Sequence, residues 1–106
     1  MKELNIIKYI GLNDLDDIER SKLTKIIESK YEKIHRLINN IANLVVTIKL
    51  YNDNHKNDEK KKYSIHIRIE APTVQFSAED FDWEIGKAIN KTVNKIINEI
   101  EHRFKK

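Results

Sequence analysis

The chain has 106 residues, with 20 Lys plus Arg against 17 Asp plus Glu, four His and no Cys. That length holds one domain, residues 1–106, around one core, and the lack of Cys excludes a disulfide framework, a thiolate zinc site and a cysteine nucleophile. Two Gly and one Pro exclude a Gly-rich phosphate loop, and no apolar run approaches the roughly 20 residues that cross a bilayer.

In chain order, Leu4 to Ile10 reads as a short first strand closed by Gly11. Asn13, Asp14, Asp16 and Asp17 are helix-capping types, and they precede an amphipathic segment ending near Asn39 and Asn40. In it Leu23, Ile26, Ile27, Tyr31, Ile34, Leu37 and Ile38 recur at three- and four-residue spacing. Leu44 to Tyr51 is a strand by its β-branched and aromatic content. Asn52 to Lys61 holds no strand former and reads as a mobile loop. Tyr63 to Glu70 alternates cleanly, Ala71-Pro72-Thr73 breaks it, and Val74 to Ala78 forms a fourth strand. The last segment carries Ile85, Ala88, Ile89, Val93, Ile96, Ile97, Ile100 and Phe104 on one helical stripe. The order is β-α-β-β-β-α. Strands with one apolar face and helices with one apolar stripe assemble most economically as an α+β two-layer sandwich, a four-stranded sheet with both helices on one face.

The net charge of +3 is small, but it is segregated. Residues 20–49 carry +5 and residues 87–106 carry +4, against −3 over residues 1–19 and −4 over residues 71–86. On the first helix Lys22, Lys25, Ser29, Lys33 and Arg36 follow one another off the apolar stripe, with Lys30 beside them. On the second, Lys87, Lys91, Lys95, Asn98, His102 and Lys105 do the same. Each ridge runs roughly 20–27 Å, with neighbouring bases about 6 Å apart. Two such ridges suit the backbone of a folded RNA. The competing explanation is solvation and helix-dipole matching, since acids stand before each helix. The acids Glu79, Asp80, Asp82 and Glu84 read as the cap of the second helix rather than a metal cluster.

Tyr63, Phe76 and Phe104 fall on core positions, and Tyr51 is the one strand aromatic expected to point outward. The open sheet face, with Thr47, Lys49, Ser64, His66, Arg68, Gln75 and Ser77, offers little for a base to stack on, so backbone and shape contacts are expected. The histidines at 35, 55, 66 and 102 have no mutual spacing that makes a metal pair on one element, and no Ser sits in a nucleophile elbow. Neither catalysis nor a metal, cofactor or small-molecule substrate is expected.

Several segments resemble the short ribosome hibernation-promoting factor and ribosome-associated inhibitor family. Leu4-Asn5-Ile6 is similar to the family's opening strand. The run from Leu23 to Arg36 is similar to its first helix. Phe76-Ser77-Ala78-Glu79, with Ala88-Ile89-Asn90 followed by Lys95-Ile96, is similar to its last strand and last helix. The resemblance implies a β-α-β-β-β-α fold akin to a double-stranded-RNA-binding domain. It also implies a stress-response, cytoplasmic protein that occupies the decoding channel of the small ribosomal subunit in 30S and 70S particles and inhibits translation. The family's basic positions fall on Lys30, Lys33, Arg36 and Lys95, with His102 in place of a Lys. The chain departs from the family in a longer connection across Asp14–Glu19 and at Glu84-Ile85-Gly86. With no acidic tail or dimerising domain after the second helix, a monomer, or at most a weak dimer, is expected, and not one that pairs ribosomes through such a domain.

The expected RNA contacts are thus Lys22, Lys25, Lys30, Lys33, Arg36, Lys87, Lys91, Lys95 and His102, with Arg68 and Lys60–Lys62 added from the sheet side. Two other readings stand beside this one: a module for double-stranded RNA of any origin, and a protein-interaction domain whose ridges are only solvated.

Overall fold

The computed structural model describes residues 7–38, 43–55 and 58–104, with the backbone alone for residues 52–55, 58–60 and 104. Strand β1 (Ile7–Ile10) leads through a short 3-10 turn into helix α1 (Asp17–Leu37). Strands β2 (Asn43–His55), β3 (Asp58–Glu70) and β4 (Gln75–Asp82) follow, and helix α2 (Ile85–Phe104) closes the order. The sheet order is β1-β2-β3-β4, with β1 parallel to β2 and the other neighbours antiparallel. This is the expected α+β sandwich. The parallel pair needs a crossover, which α1 supplies.

Register decides which side chains meet. Ile7, Leu44, Ile69 and Phe76 lie side by side across the four strands, and Tyr9, Val46, Ile67 and Ala78 form the next row. All point to the helix side, because side chains alternate with period two. Leu23, Ile27 and Ile34 of α1 and Ile89, Val93, Ile96 and Ile100 of α2 bury their stripes against these rows. The one buried polar residue among those described, Thr92, donates to Ala88 O at 2.8 Å and Ile65 O at 3.4 Å, so its hydroxyl is satisfied in the core.

Local chemistry sets the start of α1. Gly11 turns the chain out of β1 at φ 95°, and a Cβ there would stand 2.3 Å from Ile48 O. Only glycine fits both the left-handed backbone and that approach. Asp16 caps α1: its Oδ1 accepts from Glu19 N at 2.8 Å, while Glu19 Oε1 accepts from Asp16 N at 3.1 Å. The other Glu19 oxygen accepts from the Tyr63 hydroxyl, which ties the helix start to β3.

Two expectations change. The polar stretch 52–61 reads as a loop in the sequence, but β2 and β3 continue their ladder over residues 52–55 and 58–61, with Asp53 opposite Lys60 and His55 opposite Asp58. There the ribbon lies beyond the pairing of β1 and β4, so neither face needs apolar residues to bury. Strand β4 extends four residues past Ala78, so Glu79, Asp80 and Asp82 belong to a strand and not to a helix start. The expected strand residues Leu4–Ile6 lie outside the described residues, as does the Phe104 side chain.

Replacing Gly11 by Ala is expected to cost at least about 2 kcal/mol, from the left-handed backbone and the clash with Ile48. Urea denaturation checks this as a lower midpoint at unchanged slope. Burial, reinforced by Glu19, raises the Tyr63 pKa to about 12, and burial with help from Glu28 does the same for Tyr9. In the unfolded chain both would ionise near 10. Above pH 10 the unfolded state therefore binds fewer protons than the folded one, and stability falls as pH rises toward 12. Urea midpoints measured across that range should drop, and Tyr63→Phe should flatten the drop.

Candidate nucleic-acid interface

Helix α1 carries the clearer basic ridge. Lys22, Lys25, Ser29, Lys33 and Arg36 are exposed, and Lys30 is half-buried at their flank. At 100° per residue these positions fall on one strip beside the apolar stripe. At its start the strip meets α2, where a Cβ at Gly86 would stand 3.7 Å from Lys22 Cδ. Among the described residues none of these cations forms an ion pair. Glu28 and Glu32, the acids nearest in sequence, leave Lys30 and Lys33 unpaired.

Helix α2 is different. Lys87, Lys91, Lys95 and His102 are exposed, but Lys91 and Lys95 bend over the edge strand β4. Lys91 Nζ donates to Phe81 O at 2.8 Å and lies 3.2 Å from Asp82 Oδ2 and 3.7 Å from Asp80 Oδ1. Lys95 Nζ donates to Glu79 O at 3.0 Å and lies 3.4 Å from Asp80 Oδ2. Strand parity explains the meeting: Asp80 and Asp82 share the inner face with Phe76 and Ala78, at the end where the core gives way to the rim. Burial would raise the Asp80 pKa, but the Phe81 amide, Lys95 and Lys91 outweigh it and hold the carboxyl below its usual value. For Asp82 the Lys91 hydrogen bond leads, joined by the Glu84 and Trp83 amides, and again the carboxyl is held low.

The consequence is electrostatic. Half-exposed pairs of this kind are worth about 0–1 kcal/mol each, so a phosphate could displace a carboxylate from either lysine. The carboxylates would nevertheless stay beside it. Midway along α2 the net charge is near zero, whereas on α1 the charge is unopposed. The two ridges do not flank one groove: the first runs along α1, and the second overlooks β4. Toward the end of α2, Lys95, Asn98, Glu99, His102 and Arg103 line a shallow hollow of about 530 Å³ above Phe76. The Arg103 guanidinium sits 6.0 Å from the Phe76 ring centre.

The remaining expected contacts are on the far side of the sheet. Arg68 points to the open face, away from both helices, and its Nε lies 3.1 Å from Glu70 Oε2. The side chain of Lys60 lies outside the described residues; Lys61 is exposed and Lys62 half-buried. The open face also has more aromatic surface than expected. Phe81, which the extension of β4 places opposite Ser64, is 46% exposed, and Tyr51 is 50% exposed. The only sequence signal for Phe81 was its even spacing from Gln75, Ser77 and Glu79, and a strand thought to stop at Ala78 concealed it.

Among the described residues no group of three or more His, Asp or Glu could hold a metal ion. Glu79 faces outward and accepts from the Ser64 hydroxyl at 3.3 Å, while Asp80 and Asp82 face the helices. His35 packs against Tyr31 with ring centres 5.7 Å apart, on a different element from His66 and His102. No described helix is long and apolar enough to cross a membrane.

The Asp80 and Asp82 carboxyls should titrate below 3.8 by carboxyl-carbon NMR, and replacing Lys91 and Lys95 by Ala should return both toward that value. Titrations unmoved by the lysines would mean that the ion pairs do not persist in solution.

No family model matches the chain, and no curated protein matches it. Solved structures do. A ribosomal subunit interface protein from Coxiella burnetii superposes with a TM-score of 0.62 at 15% identity, covering 94% of this chain and 98% of that one. The Protein Y N-terminal domain of Thermus thermophilus gives 0.57 at 16% identity, covering 92% and 93%. At such identities the likeness is one of fold, and it extends over almost the whole of all three chains.

Proposed function

We propose that this protein is a ribosome-binding factor that sits in the decoding channel of the small subunit, occludes the tRNA and messenger sites and holds translation idle. The observation that carries the reading is the unopposed cationic ridge of α1, on a fold shared from end to end with a ribosomal subunit interface protein. The segments similar to the hibernation-factor family, Leu23 to Arg36 above all, include that ridge from Lys25 to Arg36. The protein acts by occupying space, so no catalytic group is required of it.

Lys22, Lys25, Lys30, Lys33 and Arg36 make the principal phosphate contacts. Lys87, His102 and the partly neutralised Lys91 and Lys95 make the secondary ones. Phosphate contacts position a protein without reading sequence, so the ribosome is distinguished from other RNA by shape and by the set of phosphates offered together. A preference for duplex RNA of any origin is the rival outcome, and competition between purified 30S subunits and an A-form duplex separates the two.

Sucrose-gradient sedimentation of the tagged protein with 30S and 70S particles tests the proposal. Co-migration is expected, and a protein that stays at the top of the gradient overturns it. Five phosphate contacts imply a loss of about 10²- to 10³-fold in affinity between 50 and 200 mM salt. Lys33→Ala should lower the salt slope by about one, and Lys33→Glu with Arg36→Glu should remove the protein from the subunit peak. By contrast, Asp80→Asn with Asp82→Asn frees two lysines and should tighten binding by about two- to tenfold at low salt. Unchanged binding of that variant would show that Lys91 and Lys95 do not face the RNA.

A further inference from the structure

We infer that the open face of the sheet, on the side away from both helices, carries a second RNA site that stacks one or two unpaired nucleotides on Phe81 and Tyr51. The inference extends the RNA-binding reading to a surface that phosphate contacts on the helices do not reach.

Both rings are half-exposed on flanking strands, and Lys62 of β3 lies between them. Its Nζ sits 4.3 Å from the Phe81 ring centre and 5.7 Å from that of Tyr51. Beside them a hollow of about 200 Å³ is lined by Thr47, Lys49, Ser64, His66 and Glu79, which together offer donors and acceptors to a base edge. An aromatic platform, ammonium groups beside it and a polar pocket are what an unpaired nucleotide requires for its base, its phosphate and its base edge.

Lys62 already covers the face of Phe81, so a base must displace it. A cation over an exposed ring is worth about two- to fivefold in an equilibrium constant, whereas a base stacked on a ring is worth about fivefold to more than a hundredfold. The base wins, and the displaced ammonium is freed for the phosphate of the same nucleotide. Lys91, 5.6 Å from the Phe81 ring centre, reaches the platform around the β4 edge and joins it to the α2 ridge.

Charge argues against the other occupant of an exposed aromatic face, a second copy of this chain. Each face carries Lys49, Lys62 and Arg68 against Glu70 and Glu79, so two copies brought together would oppose surfaces of like net charge.

The test titrates the full chain with a short single-stranded oligouridylate and, separately, with an A-form RNA duplex. Affinity is followed by anisotropy, and base stacking by the fluorescence of the one tryptophan, Trp83, two residues beyond Phe81. Phe81→Ala and Tyr51→Ala are each expected to weaken oligouridylate binding by about fivefold or more while leaving duplex binding unchanged. Phe81→Leu keeps the site apolar but removes the stacking ring, so a loss shared by Phe81→Leu and Phe81→Ala is a loss of stacking rather than of folding. Oligouridylate bound equally well by wild type and Phe81→Ala, or not bound at all, overturns the inference. So does a concentration-dependent dimer that Phe81→Ala dissociates. If the protein fails to sediment with subunits yet binds oligouridylate through Phe81, the ribosomal reading falls and this one stands.

Discussion

Everything in this molecule follows from a sheet that has only one apolar face. Ile7, Leu44, Ile69 and Phe76 in one row, and Tyr9, Val46, Ile67 and Ala78 in the next, must be covered, and two amphipathic helices are the cover. Once α1 and α2 lie on that face, their stripes are committed inward and their remaining sides are committed to solvent. The alternate residues of every strand are left on a second, uncovered surface. One periodicity thus creates two separate faces, and it places each cation on one or the other. Arg68 cannot join Lys33, because a shift of one residue in β3 would put Ile67 and Ile69 in water.

The same parity explains why the two helices are not electrostatically equal. Asp80 and Asp82 continue the inner face of β4 beyond the core, where a carboxylate can reach the rim, and α2 passes directly above them. Lys91 and Lys95 are long enough to close that distance, and their ammoniums hold both carboxyls below the ordinary range. Among the described residues no strand lies at the corresponding place beside the α1 ridge, and Lys22, Lys25, Lys33 and Arg36 form no ion pair. The acids act as a moderator on one ridge, and what remains for a polyanion is a graded surface, strongest over α1 and weakest over β4.

Where composition and period agreed, the architecture was legible from the residues. The stripe of Leu23, Ile27 and Ile34, the alternation from Tyr63 to Glu70 and the Gly11 turn each had a single reading, and each appears as expected. The misreadings share one cause. Residues 52–55, 58–61 and 79–82 read as loop or cap by side-chain type, but a strand outside the packed layer is held by its backbone ladder and is indifferent to apolar content. For Glu79 to Asp82 the error spread from fold to site: acids read as a helix cap are strand residues that neutralise Lys91 and Lys95, and Phe81 emerges on the open face. Pairing across space, in register or between charges, is what a linear pattern does not contain. The capping box of Asp16 with Glu19 was within reach of the sequence, but the hydroxyl that Tyr63 donates to the same carboxylate was not.

The two faces also bear on how such a protein would meet RNA. Its smallest dimension is 18 Å against 33 and 50 Å for the others. A plate of that thickness, cationic on its helix side and carrying aromatic rings with lysines on its sheet side, gains little by lying on a flat surface, where one face would stay idle. In a cleft walled by RNA both faces would work together, with rigid helical phosphates against α1 and unpaired nucleotides against the sheet. Lys91 stands at the edge between them, hydrogen-bonded to the Phe81 carbonyl, within 6 Å of the Phe81 ring and paired with the acids that temper its helix. A nucleotide drawing Lys62 off Phe81 and a phosphate drawing Lys91 off Asp82 would act on one short stretch of β4. That coupling gives a physical reason for the two faces to favour the same partner.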